Sequence, residues 1–191
     1  MKTIPRGLRN NNPLNIRHSV SRWQGARVEQ TDKAFVQFTS MTMGYRAAWR
    51  ILETYYKHFE TEHRPFTPRN IIYHWAPPNE NDSEAYLRMV CQLTNLASNE
   101  ALARPSKASP QSTAYREQST TAMRCASTLK TSKTINSAEQ PPLLNDAYTL
   151  PSPQSKAKLI DLLAAMTCIE NGISMSDVDR QAIENGYQWA F

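Results

Sequence analysis

Residues 9–16 read RNNNPLNI, and this asparagine-rich segment carries more information than any other part of the chain. Four asparagines fall within six residues, and their amides compete with the backbone for hydrogen bonds, which disfavours a regular helix or strand. The segment therefore predicts a rigid turn. Because an amide offers both donors and acceptors, such a turn suits a ligand rich in hydroxyl and amide groups, such as an N-acetylated sugar. The plainer interpretation is a polar surface turn.

The segments around this turn resemble enzymes that degrade the bacterial cell wall. One run of features resembles the block that follows the catalytic glutamate in bacterial glucosaminidases of the lysozyme superfamily. It consists of NNPLNIR at 11–17, Trp23-x-Gly25, Phe35 with Phe38, Ser40, and a helix from about Met43. A group of phage virion proteins, also found in prophages, is more similar still. The shared motifs, in the same order, are RGLRNNNP at 6–13, GYRA at 44–47, WAPPNEN at 75–81 and ENG at 170–172. The resemblance covers residues 6–96 and 156–190 and implies a lysozyme-like domain.

Length and composition predict one compact domain, because 191 residues with 40% apolar content can bury one sizeable core. No apolar run approaches the roughly 20 residues needed to span a bilayer, and residues 1–6 lack the apolar region of a signal peptide. We therefore expect synthesis in the cytoplasm without a signal peptide, no membrane insertion, and action in a virion or, after delivery, in the periplasm or cell wall.

The cysteine pattern predicts free thiols. The three cysteines lack the spacing of metal ligands, so neither a metal nor another cofactor is implied: Cys91, Cys125 and Cys168. The alternative is a catalytic cysteine paired with one of three histidines, but no local signature supports it: His58, His63 and His74.

The net charge of +5 is concentrated in residues 1–64, which would attract polyanions. The arginines are scattered rather than gathered on one recognition helix, so we do not expect nucleic acid as a partner. The expected partners are peptidoglycan glycan strands and, in a phage, tail or capsid proteins.

The sequence predicts a mainly helical α+β fold with a small β-hairpin near residues 26–38. Apolar residues recur at intervals of three and four over 42–62, after a cap at Ser40 or Thr42. Gly44 near the start of this helix indicates that another backbone packs close to it. Two further helices are predicted, one from Pro68 to about Trp75 and one capped by Asp82 or Ser83. The second of these has an apolar face that we expect to be buried: Tyr86, Met89, Val90 and Leu93.

Composition divides the chain into three parts. Residues 1–99 form the N-terminal part of the domain, residues 100–145 are rich in Ser and Thr and predict an insertion or linker, and residues 146–191 complete the same domain.

The last long helix, from Lys156 onward, directs a glutamate inward. Its buried face continues at the same spacing to Glu170: Leu159, Leu162, Leu163 and Met166. Gly172 is placed to end the helix in the left-handed conformation. Burial and the negative end of the helix dipole disfavour a carboxylate, so Glu170 is expected to stay protonated to a higher pH than a surface glutamate, as a general acid for glycoside cleavage requires. The plainer alternative is a solvated glutamate at a helix end.

In glucosaminidases and lytic transglycosylases the catalytic glutamate ends a helix shortly before the asparagine-rich turn, but here only eight residues precede Arg9. We therefore predict a lysozyme-like domain in permuted order, with Glu170 docked beside the turn, since chain termini commonly lie close together. A second Glu-Asn-Gly makes Glu184 a lower-ranked candidate.

Glu80, in the Pro-rich loop, is the second candidate catalytic carboxylate, either as a base or as a brace for the loop. The candidate substrate-binding residues are Asn11, Asn12, Asn15, Trp23, Tyr45 and Tyr86. The sequence thus predicts a peptidoglycan glycosidase, whether muramidase, glucosaminidase or lytic transglycosylase, that cleaves a β-1,4 bond. The alternative is a non-catalytic virion or tail protein that binds wall glycan.

Overall fold

The computed structural model describes residues 3–106 and 153–191. Most of the predicted insertion at 100–145 therefore lies outside the described residues. Within the described part the protein is mainly helical, as predicted, with these helices: α1 Arg6–Arg9, α2 Met41–Thr61, α3 Pro68–Trp75, α4 Ser83–Thr94, α5 Pro153–Asn171 and α6 Arg180–Ala190. None of them combines the length and the apolar character that crossing a bilayer requires.

The predicted helix starts are confirmed by their caps. Ser40 begins α2 by accepting a hydrogen bond from the Met43 amide, and Asp82 begins α4 by accepting one from the Ala85 amide. Pro68 occupies the first position of α3, where its missing N–H costs nothing.

The core is built around α2, which packs against α6. The Trp49 indole donates to the Ile183 carbonyl at 2.9 Å, and its ring meets the edge of Tyr187 at a centroid distance of 5.1 Å. The apolar face of α5 lies at the centre of the same core, as its spacing predicts: Leu159, Leu162, Leu163 and Met166 are all buried. Residues from both described parts of the chain therefore share one core.

The predicted buried face of α4 is wrong in part. Val90 is buried, but Met89 and Leu93 are 47% and 39% exposed, and Leu87 is buried instead. The helix is apolar over a broad arc, and it packs on α3 and α5 through a face rotated from the predicted one. Periodicity alone could not choose between these two overlapping faces.

The predicted β-hairpin at 26–38 does not form as a regular pair of strands. The described residues contain no strand and two isolated antiparallel bridges, Arg17 with Phe35 and Ala26 with Phe38. Side chains satisfy the backbone groups that a ladder would pair. The Gln37 Oε1 atom accepts from the amides of Thr31 and Asp32, and the Gln30 side chain bonds the backbone of Gln37 through both of its polar atoms.

Candidate functional site

Glu170 lies in the last turn of α5 and points into the domain, one helical turn beyond the buried Met166. Gly172 ends the helix with φ +62°, as predicted, and the Ile173 amide reaches back to the Cys168 carbonyl at 3.2 Å. These features form a Schellman cap, which fixes the direction in which the chain leaves the helix.

Three hydrogen-bond donors from separate parts of the chain hold the Glu170 carboxyl. The Asn15 amide donates to Oε2 at 2.9 Å, whereas the Trp75 indole and the Tyr86 hydroxyl donate to Oε1 at 3.3 and 3.1 Å. The C-terminal glutamate and the N-terminal turn, 155 positions apart, are therefore in direct contact.

The Tyr86 hydroxyl is a fixed donor in this cluster. Burial and the neighbouring Glu170 raise the pKa of Tyr86 well above its ordinary value, so the phenol keeps its proton. The Trp75 indole cannot accept a hydrogen bond in the plane of its ring. Among the described residues, Glu170 Oε1 accepts from two protein donors and Oε2 from one, so Oε2 has more capacity left for a ligand or a proton.

The asparagine turn is rigid because its own side chains bond its backbone. Asn12 is completely buried, where its amide donates to the carbonyls of Ile16 and Val36 at 2.9 and 2.8 Å and its Oδ1 accepts from the Ile16 amide. Asn11 and Asn15 adopt φ 50°, a left-handed conformation that asparagine tolerates better than other side chains.

Asn171 ties this turn to the end of α5. Its amide donates to the Pro13 carbonyl at 2.7 Å and to the Thr167 carbonyl at 3.0 Å. Gly7 lets α1 pack against this junction, because a Cβ there would lie 2.5 Å from Asn171 Oδ1 and 2.8 Å from Asn15 Oδ1. The same Cβ would lie 2.8 Å from the Asn12 carbonyl oxygen, so a larger residue at position 7 would push against both the turn and the Asn15 side chain.

Asp32 anchors the outer side of the turn. Its carboxylate accepts from the Arg6 guanidinium at 2.6 and 2.7 Å, from the Asn10 amide at 2.7 Å and from the backbone amides of Ala34 and Phe35. These donors hold the pKa of Asp32 well below its ordinary value, with the bond from Arg6 as the largest cause.

This arrangement predicts an acid-labile turn. A carboxylate with a lowered folded-state pKa stabilises the fold above its unfolded pKa of about 4, and this contribution falls as the pH drops below that value. We expect the Asp32→Asn variant to be less stable than wild type at pH 7 and to lose less of its remaining stability between pH 5 and pH 3. Urea unfolding at these pH values measures both effects. Parallel pH profiles for the two proteins would show that Asp32 does not cause the acid sensitivity.

Glu170 and Glu80 line the same open cavity, which has a volume of about 310 Å³. The wall also includes the amides of Asn15 and Asn81, the cationic Arg17, and the aromatic side chains of Phe35, Tyr55 and Trp75. Apolar faces with a few convergent polar groups are typical of sites that bind small molecules or sugar rings.

No protein-family model matches the chain. It is 39% identical over 100 residues to Protein P5 of Pseudoalteromonas phage PM2, and the match covers 51% of this chain and 60% of that protein. The chain is similar to a bacteriophage protein, and the predicted similarity to phage proteins is confirmed to this extent. The alignment spans less than two thirds of that relative's length.

The structure separates the other predicted site residues from this cavity. Tyr45 is 1% exposed, its hydroxyl bonds the Thr167 hydroxyl at 3.1 Å, and burial raises its pKa to about 12. Tyr45 and the buried Asn12 therefore support the core and the turn and do not line this cavity. The Asn11 amide donates to the Phe38 carbonyl at 3.1 Å, and Trp23 lines a different pocket. Glu184 is exposed on α6 and does not line the cavity.

Sequence reasoning missed five polar or aromatic residues that the structure places in the cavity wall: Arg17, Phe35, Tyr55, Trp75 and Asn81. Trp75 and Arg17 belong to the motifs quoted above, but nothing in their local sequence indicates that they face Glu170. Tyr55 follows the apolar spacing of α2 and is indistinguishable from a core residue by pattern. The described residues contain no group of three His, Cys, Asp or Glu side chains able to hold a metal ion.

Proposed function

We propose that the protein is a peptidoglycan glycosidase of lysozyme-like fold in permuted order, with Glu170 as its general acid. The observation that carries this proposal is the contact between Glu170 at the end of α5 and Asn15 in the N-terminal turn, inside a cavity with aromatic walls. A glutamate at a helix end beside an asparagine turn is the arrangement that the resemblance implies, and here its two parts come from opposite ends of the chain. The similarity to a phage protein supports a role in a phage, carried by the virion.

In this mechanism the protonated Glu170 gives its proton to the glycosidic oxygen, and the bond between that oxygen and C1 breaks as the sugar develops positive charge. Because Oε1 already has two protein donors, the transferred proton resides on Oε2, next to Asn15. The sugar is then attacked at C1 by water, giving a reducing end, or by its own hydroxyl, giving an anhydro sugar. Glu80, in the same cavity, is the candidate base for the attacking group, and its alternative role is to brace the loop.

The second candidate function is binding of wall glycan without cleavage. One feature favours it: all three protein groups that touch the Glu170 carboxyl are donors, an arrangement that suits a carboxylate which accepts hydrogen bonds from sugar hydroxyls.

The proposal is tested by incubating purified peptidoglycan sacs with the full chain or with its Glu170→Gln variant and measuring the soluble fragments released. Release by the wild type alone supports the glycosidase, and mass spectrometry of the fragments then distinguishes reducing from anhydro ends. Absence of release by both proteins, with retention of both on the sacs, would instead establish the binding protein.

Tyr86 is expected to position the acid. The Tyr86→Phe variant loses one donor to the Glu170 carboxyl and keeps the ring, so we expect kcat to fall about tenfold with little change in KM. The matched control is Tyr45→Phe, which removes a buried hydroxyl that contacts Thr167 instead. Equal activities of the two variants in the sac assay would show that the bond from Tyr86 does not orient Glu170.

A further inference from the structure

A second pocket, of about 190 Å³, lies in the loops that precede α2. Its lining includes His18, Arg22, Trp23, Arg27 and Gln30. The two pockets share the paired segments around Arg17 and Phe35 as a common wall: these two residues line the Glu170 cavity, while their chain neighbours His18 and Val36 line the second pocket. Alternating side chains of extended segments point to opposite faces, which explains the division.

The charge of this pocket has one sign. Arg22 and Arg27 line it, and neither is within ion-pair distance of a carboxylate among the described residues. Among the residues that the structure describes, no Asp or Glu belongs to its lining. The carboxylate of the nearby Asp32 is bound by Arg6 and Asn10, and Glu29 does not line the pocket.

The free hydrogen-bonding groups around the pocket are mainly donors. Both polar atoms of the Gln30 amide are already bonded, because its nitrogen donates to the carbonyls of Arg27 and Gln37 and its oxygen accepts from the Gln37 amide. His18 Nε2 lies 2.9 Å from the Asp32 carbonyl, so this nitrogen carries a proton. The Trp23 indole N–H is buried and has no acceptor among the described residues.

The Trp23 ring is partly buried and packs against the small apolar cluster of Ile16, Val36 and Phe38. Less of the ring is therefore open for stacking than in an exposed aromatic side chain. This burial favours a ligand that accepts a hydrogen bond over a nucleic-acid base, which stacks on an open aromatic face.

We propose that this basic pocket binds a single oxyanion, the phosphate or carboxylate group of an anionic cell-wall polymer. Two guanidinium groups without a carboxylate partner among the described residues supply the positive charge, and Arg27 is oriented by the hydrogen bond from its Nε to the Phe38 carbonyl at 3.0 Å. A buried indole N–H lacks the acceptor that an oxyanion would provide. The inference does not depend on glycan cleavage, because no residue of the Glu170 cluster takes part in it.

Nuclear magnetic resonance of the full ¹⁵N-labelled protein tests this proposal. The indole N–H signals are followed during titration with inorganic phosphate and, separately, with acetate, at constant ionic strength. The four tryptophans give separate signals, and that of Trp23 is assigned with the Trp23→Phe variant. We expect a saturable shift confined to Trp23, because the indoles of Trp49 and Trp75 already donate to Ile183 and Glu170 and Trp189 is exposed on α6, outside the pocket. A stronger response to phosphate points to a phosphate-containing polymer, and a stronger response to acetate points to the carboxylates of peptide stems.

The Arg22→Gln and Arg27→Gln variants are each expected to weaken binding about fivefold to tenfold, because each removes a charge-assisted hydrogen bond. Arg88→Gln, which removes an exposed arginine from α4, is the matched control and should bind like wild type. Absence of a saturable shift, or equal weakening by all three substitutions, would overturn the proposal. Tighter binding of a short single-stranded oligonucleotide, weakened equally by all three substitutions, would also overturn it in favour of a general polyanion surface.

Discussion

Replacement of Glu170 by glutamine is expected to lower the rate of glycan cleavage by about a thousandfold, because general acid catalysis contributes on the order of 10²–10⁴ to such reactions. The amide keeps the size of the carboxyl but cannot transfer a proton to the leaving oxygen. Digestion of purified sacs by wild-type and variant protein, followed by chromatography of the released fragments, measures the effect.

The fold should tolerate this substitution. The glutamine oxygen can still accept from Trp75 and Tyr86, and its nitrogen would then face Asn15. Asn15 Oδ1 has no hydrogen-bond partner among the described residues, so rotation of the Asn15 amide presents an acceptor to that nitrogen. We therefore expect an unchanged circular dichroism spectrum and a thermal midpoint close to that of wild type.

Glu184→Gln is the matched control, since Glu184 precedes the second Asn-Gly and is exposed on α6. Its activity should equal that of wild type. A Glu170→Gln protein that releases fragments at the wild-type rate would exclude Glu170 as the acid. Loss of activity in Glu184→Gln with retention in Glu170→Gln would transfer the role to Glu184.

The long helices could be predicted from sequence because their signals are local. The spacing of apolar residues in α2 and α5, the cap at Ser40 and the prolines around α3 depend only on neighbours within about one turn. The buried face of α4 could not be predicted as well, because Met89 and Leu87 are equally apolar and the choice between them depends on the partners of the helix.

The region before α2 could be predicted only in outline, because side chains from distant positions satisfy its backbone. Gln30, Gln37 and Asp32 replace the ladder of a hairpin with bonds from amide and carboxylate groups, and local propensity does not encode such pairings. The same limit applies to Asp32 itself, whose role depends on Arg6 and Asn10 more than twenty positions away.

The predicted position of Glu170 had three sources: helical spacing directs it inward, the family resemblance implies a glutamate beside the asparagine turn, and chain ends tend to meet. The structure places it against Asn15, although these sources do not specify which amide it reaches. Trp75 and Tyr86 complete the cluster through the packing of α3 and α4 on α5, which no local pattern reveals. A sequence can therefore indicate the candidate acid more readily than the groups that orient it.

The close approach predicted at Gly44 makes Gly44→Ala a strongly destabilising substitution, although it adds only one methyl group. An added Cβ would lie 2.2 Å from the Asn11 carbonyl oxygen and 2.8 Å from Pro13 Cδ, so the asparagine turn would have to move away from α2. Overpacking of this kind costs about 3 kcal/mol, and the better helix propensity of alanine returns about 1 kcal/mol. The expected net loss is about 2 kcal/mol, or a thermal midpoint lower by roughly 4–8 °C for a domain of this size.

Gly172→Ala provides the contrast, because it adds the same methyl group at a position with φ +62° and no atom within 4 Å of the new Cβ. Its cost of about 1 kcal/mol comes from backbone strain alone. Calorimetry of both variants should place Gly44→Ala below Gly172→Ala, and Gly44→Ala should also lose glycan cleavage, because displacement of the turn carries Asn15 away from Glu170. If the Gly44→Ala protein were at least as stable as wild type, the asparagine turn could move away from α2 without loss of stability. The rigidity inferred for this segment would then be wrong.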